Sequence, residues 1–237
     1  MQRVERTPRP ARQLALPLER PQRGGARPGA GRKRAPGSRE LPHVARPKLD
    51  PRKPLHVTVR LRSGLPSLRE QALLERVRRA ITQGKTRFGA RIVHYSVQRD
   101  HLHLIMEAHD RLALSRAMRG LGVRVARGLN GLLRCKGRVI DDRYHARTLG
   151  TPREVRNALR YVLLNFRRHG RAGAFDRASS GAAFDGWSHG DPRACLGDEE
   201  VGAIERSVAP ATRWLSTVGW RIHGRIDPTA RPGVPPR

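Results

Sequence analysis

Asp100-His101-Leu102-His103-Leu104-Ile105-Met106-Glu107 places two histidines at i and i+2 inside an apolar run, and the fold turns on how this segment is read. As a β-strand it alternates its side chains between two faces, so His101 and His103 point one way and Leu102 and Leu104 point into a core. Imidazoles set beside a core are costly to bury unless their nitrogens are used. Glu107 shares their face by parity. Just upstream, Ile92 to Gln98 reads as a partner strand, with Arg99-Asp100 as a tight connection between the two.

The pattern extends outward from this hairpin. Leu55-His56-Val57-Thr58-Val59-Arg60-Leu61 alternates and is β-branched, which predicts a first strand. Ser67 to Gln83 carries Leu68, Leu73, Leu74, Val77 and Ile81 at helical spacing, with Ser67 as N-cap. Leu112 to Leu133 reads as a helix weakened by Gly120, Gly122 and Gly128, and Arg138 to Tyr144 as a further strand. Thr151-Pro152-Arg153-Glu154 combines an N-cap threonine, a proline at the first helical position and a glutamate placed to close a capping box. The helix it starts is expected to run to about Arg168, before Gly170. Strand, helix, strand, strand, helix, strand, helix is satisfied most simply by an α+β, ferredoxin-like architecture: an antiparallel sheet with helices packed on one face.

Charge bounds the partner. Of 237 residues, 49 are Lys or Arg against 20 Asp or Glu, a formal net charge of +29. That excess points to a polyanion. Arginine greatly outnumbers lysine, which fits bidentate phosphate contacts and stacking on bases. No apolar run of about 18 residues spans a bilayer and no signal-peptide core follows Met1, so no membrane partner is expected. Cys135 and Cys195 stand far apart, outside any C-x-x-C spacing, and the expectation is a reducing, cytoplasmic, bacterial setting near the nucleoid. Residues 1–54 hold 15 Lys or Arg, four acids and 10 of the 18 prolines, and read as a disordered basic arm. Arg32, Lys33 and Arg34 in that arm, with Arg160, Arg167 and Arg168 near the last helix, are the expected DNA-binding residues. Residues 55–170 read as the folded domain and 171–237 as an Arg- and Gly-rich, partly ordered extension docked through Trp187, Trp214 and Trp220.

Two features carry chemistry. The histidine pair presents two ligands side by side for one divalent ion, and imidazole alone does not name the metal. On the last helix, Val155, Leu159, Val162, Leu163 and Phe166 make one apolar stripe, and Tyr161 falls off it beside Asn165 at i+4. A phenol facing the same cleft as a metal attacks a phosphodiester and holds the phosphate covalently, and Asn165 offers an oxygen ligand to the ion. Tyr95 reads as sheet packing and Tyr144 as a residue lining the cleft. His56, His94, His109, His145 and His169 read as surface, phosphate-contacting or strand residues, Asp141 and Asp142 as a solvated turn, and Glu107 as support for the histidines.

The segments RDHLHLIMEAHD and GRVIDDRYHARTLGTPREVRNALRYVLLNFRRHG resemble the REP-associated tyrosine transposases, of the single-tyrosine HUH transposase-like superfamily, over residues 52–170. Tyr161-Val162-Leu163-Leu164-Asn165 resembles that family's Tyr-x-x-x-Asn, with Phe166 where a proline often follows. The arm RPGAGRKR and the tail GWRIHGRIDP also resemble bacterial proteins of this group. The resemblance implies an HUH endonuclease fold, Mg²⁺ or Mn²⁺, and cleavage and rejoining of single-stranded DNA beside a hairpin through a 5′-phosphotyrosine, by a monomer or homodimer. Against this enzyme stands a non-catalytic nucleic-acid-binding or regulatory protein of the same fold. Basic charge supports both equally, since phosphate attraction carries no sequence information. The order His101, His103, Tyr161 favours the enzyme.

Overall fold

The structure is a computed structural model that describes residues 48–169 and 173–232. A five-stranded antiparallel sheet is built from β1 (Leu55–Arg60), β2 (Thr86–Arg87), β3 (Ala90–Val97), β4 (His101–Ala108) and β5 (His145–Thr148). Its order is β2-β3-β4-β1-β5, which puts the histidine strand at the centre. The alternation of β4 is realised in full: Leu102, Leu104, Met106 and Ala108 enter the main core and Ile105 enters a second one on the opposite face. In β3 the register slips between Ile92 and His94. This bulge lets Ile92, Tyr95 and Val97 share the main core although their spacing breaks strict alternation.

Helices α1 (Gln71–Gly84) and α2 (Arg111–Leu132) pack on one face of the sheet through Leu73, Leu74, Val77, Ile81, Leu114, Leu121, Val125 and Leu129. That is the arrangement expected of an antiparallel sheet with helices on one face. Helix α3 (Pro152–Leu163) lies on the other face, where Val155, Leu159 and Val162 join Ile105 in the second core. Its capping box forms as read, with Thr151 Oγ1 accepting from the Glu154 backbone N–H at 3.2 Å.

Some boundaries differ from the pattern reading. Helix α1 starts four residues after Ser67, because Glu70 is extended and its carboxylate instead closes a turn on the Ser67 backbone N–H. The expected strand at Arg138 to Tyr144 contributes only the Leu61–Ile140 bridge, and β5 begins at His145. Helix α3 ends at Leu163 and tightens into a 3₁₀ turn over Asn165–His169. Of the expected arm, 1–47 lie outside the described residues, and so do Arg32, Lys33 and Arg34. Leu49 packs against the main core and the Pro54 carbonyl accepts from Leu149.

The C-terminal extension is a built layer. It carries α4 (Pro192–Leu196), α5 (Asp198–Ser207), α6 (Trp214–Thr217) and 3₁₀ turns at Ser180–Ala183 and Gly219–His223. Phe184, Trp187 and Trp220 stack edge-on or tilted, with centroids 5.0 and 5.2 Å apart, and close the second core over α3. Gly186 is required there, since a Cβ would stand 2.2 Å from the Trp220 ring. Trp214 stays exposed.

Several anchors tie this layer to the sheet, to α1 and to the turn before it. The extension closes the β3 edge left bare by short β2, with Val97 donating to Ala178 and Ala209 to Ile92. Arg78 pairs with Glu200 at 2.6 Å. Arg69 grips Asp176 bidentately at 2.9 and 2.5 Å, both side chains nearly inaccessible to water. Removing one partner of such a pair strands the other charge. Asp176→Ala is therefore expected to cost about 3 kcal/mol, read as a fall in the urea midpoint. A change within about 0.5 kcal/mol, the range of an ordinary surface substitution, would show that the clamp is not what holds the extension.

His94 makes stability depend on pH. Burial against Phe184 and Ser180 pushes its pKa down to about 4. The unfolded chain, titrating near 6.5, then binds the proton more tightly than the folded one, so stability is lost as pH falls from about 6.5 towards 4. At pH 5 the cost from His94 is about 2 kcal/mol. In a His94→Gln variant the stability difference between pH 7 and pH 5 should shrink by that amount, and an unchanged difference would show that His94 titrates normally.

Candidate active site

The site grows from one face of the sheet. His101 and His103 project from central β4, and across β1 the residues opposite them are Arg60 and Thr58. Because Leu55, Val57 and Val59 fill the main core, His56, Thr58 and Arg60 turn to the histidine face. Tyr161 comes down onto this face from α3.

The distances are short. His101 Nε2 and His103 Nε2 lie 3.1 Å apart, and the Tyr161 phenol oxygen lies 3.4 Å from His103 Nε2. The Tyr161 ring meets His103 edge-on at 5.0 Å and His56 at 5.8 Å, and the Arg168 guanidinium caps it at 5.7 Å.

The far nitrogens are held as well. His101 Nδ1 is 2.7 Å from Asp100 Oδ1, and that hydrogen bond draws the Asp100 carboxyl below its usual range. His103 Nδ1 is 3.2 Å from both His56 Nε2 and Thr58 Oγ1. Burial, with the charges of His145 and Arg147 beside it, pushes the His56 pKa down to about 4. His56 is thus neutral near pH 7 and able to accept through Nε2. These partners favour the tautomer with the proton on Nδ1 of His101 and His103, leaving both Nε2 lone pairs aimed at one place. Two unprotonated imidazole nitrogens that close repel unless a proton or a cation lies between them.

An ion fits this pair. The two Nε2 atoms converge, and each ring is oriented from behind by a hydrogen bond, as ligating histidines usually are. Among the described residues no group of three or more His, Cys, Asp or Glu side chains is placed to hold a metal.

The other expected site residues are placed as follows. Tyr161 is buried rather than exposed, because α3 is covered on one side by the sheet and on the other by the extension. Asn165 is buried at the start of the 3₁₀ turn, and among the described residues no hydrogen bond joins it to His101, His103 or Tyr161. Arg168 is exposed beside Tyr161, while Arg160 and Arg167 are half-buried and Arg167 donates to the Gly173 carbonyl. Glu107 shares the histidine face but does not support the pair: it accepts from the Thr212 and Arg213 backbone N–H groups and from Thr212 Oγ1, and so anchors the extension. Tyr95 sits fully buried on the opposite face against Ser207, away from the histidines. His56, Thr58 and Arg60 are the residues pattern reading missed as a group. Their alternation in β1 was visible, but their register with β4 was not.

A family model described as transposase, IS200 like, matches residues 55–164. Comparison with solved structures finds similarity to the REP-associated tyrosine transposase bound to a REP hairpin, at 18% identity over 55% of this chain and 75% of that chain, with a TM-score of 0.45. A search of the curated proteins finds no match. The matched segment runs from the first residue of β1, through both histidines, to the residue after the helix that carries Tyr161, and over that span the chain is similar to the IS200-like transposases.

Proposed function

We propose that this protein cleaves and rejoins single-stranded DNA beside a hairpin, with Tyr161 as the nucleophile and His101 and His103 as ligands of one divalent ion, Mg²⁺ or Mn²⁺. The observation that carries this reading is the chain of contacts Tyr161 Oη, His103 Nε2, His101 Nε2 at 3.4 and 3.1 Å. Transposases of this type usually use a divalent metal. When bound, the ion would polarise the scissile phosphate and offset the charge that builds on it.

The chain's own groups do the rest. Sheet and extension hold the Tyr161 ring from both sides, so its oxygen has little freedom to wander from the histidines. In the forward step the Tyr161 oxygen gives up its proton and bonds to phosphorus. The bond from phosphorus to the 3′ oxygen breaks, and that oxygen takes up a proton and leaves as a 3′ hydroxyl. One phosphoester is exchanged for another, so a 3′ hydroxyl attacking the phosphotyrosine rejoins DNA without external energy. Arg168, exposed over the ring, would meet the backbone of the bound strand, and its exposure beside Tyr161 supports that role.

Incubation with hairpin-bearing single strands and Mn²⁺ tests the reading. A covalent complex that survives denaturation and carries the 5′ phosphate on tyrosine is expected. Hairpin binding without any adduct would favour the non-catalytic alternative.

A further inference from the structure

Arg60 ends β1 directly across from His101, and adjacent cross-strand side chains on one face have Cβ atoms about 4.5–5.5 Å apart. Its neighbours on that face, His56 and Thr58, reach His103, so Arg60 stands in the same row one step nearer solvent. It is exposed, and among the described residues its side chain makes no hydrogen bond and no ion pair. The Asp100 carboxylate feels its charge but is hydrogen-bonded to His101. Arg69, Arg78 and Arg147 are held in ion pairs, and Arg168 lies over the Tyr161 ring. A lone guanidinium beside two convergent imidazoles and a phenol is a ready anion site.

We infer that Arg60 is a catalytic residue that grips the scissile phosphodiester, a role that rests on the proposed phosphotyrosine chemistry. Its planar fork donates to the two non-bridging oxygens. While the Tyr161 oxygen bonds to phosphorus and the 3′ oxygen departs, negative charge gathers on those oxygens, and a fixed cation there stabilises the transition state more than the ground state. Arg60 on β1 and His101 on central β4 stand side by side, so ion and guanidinium would approach the phosphate from neighbouring strands.

The full chain, Arg60→Gln and Arg60→Lys are compared for adduct formation with Mn²⁺ on two hairpin substrates. One has an ordinary scissile phosphodiester; in the other that linkage is a neutral methylphosphonate. On the ordinary substrate Arg60→Gln should react about 100-fold more slowly, in line with losing one charge-stabilising donor. Arg60→Lys should recover part of the rate, since it keeps the charge but not the fork. On the methylphosphonate, which carries no charge to neutralise, wild type and Arg60→Gln should react at similar rates. Equal slowing on both substrates would assign Arg60 a structural role and overturn the inference, as would an unslowed Arg60→Gln chain. Wild type that joins neither substrate would overturn the functional reading itself, and this role with it.

Discussion

A Tyr161→Phe chain is expected to fold, to bind hairpin DNA with unchanged affinity, and to form no covalent adduct. Only one oxygen is removed, and the ring contacts to His56 and His103 and the Arg168 cap persist. The phenol gives at most one hydrogen bond, to His103 Nε2 at a long 3.4 Å, so the stability change should stay within about 1 kcal/mol. Adduct formation should fall below detection, a loss of roughly 10⁴-fold or more, because no other oxygen nucleophile of comparable acidity stands on that face. Tyr95 is fully buried on the opposite side of the sheet, and Tyr144 packs against the main core. Denaturing electrophoresis of labelled DNA reads the result directly. A Tyr161→Phe chain that still links to DNA would move the nucleophile to Tyr144 and dismantle the site built around His103.

The fold was largely legible because its strands announce themselves by alternation. Leu102, Leu104 and Met106 face the main core as parity requires, and Thr151 with Glu154 closes the capping box that their spacing signals. Periodicity does not say which face of a sheet a helix chooses. Tyr161 lies off the apolar stripe of α3, which points it toward an open cleft, yet the tryptophan layer beyond residue 173 covers α3 from outside and buries the tyrosine as well. That layer is poorly patterned in sequence because it is held by scattered long-range contacts: Arg69 to Asp176, Arg78 to Glu200, Glu107 to Thr212. The histidine pair was readable from spacing alone, whereas its supports His56 and Thr58 depend on the pairing of β1 with β4, which no local window contains. Glu107 shows the reverse error. Parity put it on the right face, but four residues of strand carry it away from His103 and into the anchoring of the extension.

His101→Ala is the sharpest test of the metal role, because His101 is the half-exposed member of the pair. His103 is buried and bonded to His56 and Thr58, so its removal would mix lost chemistry with a lost hydrogen-bond network. Among the described residues His101 reaches only Asp100 and His103, and its truncation should shift stability by no more than about 1 kcal/mol. If the two Nε2 atoms share one ion, losing either leaves a single imidazole. The Mn²⁺ concentration giving half-maximal adduct formation should then rise well beyond the 10–100-fold typical of losing a supporting residue, roughly 10³-fold or to the point of no measurable rate. Hairpin affinity without metal should hold, since phosphate contacts elsewhere dominate it. Asp100→Asn supplies the graded control: the His101 ring keeps a partner but loses its carboxylate, and the expected rise is about tenfold. A His101→Ala chain with the Mn²⁺ dependence of wild type would mean that the convergent nitrogens hold a proton and not a metal, and the ion, if one is used, would have to bind elsewhere.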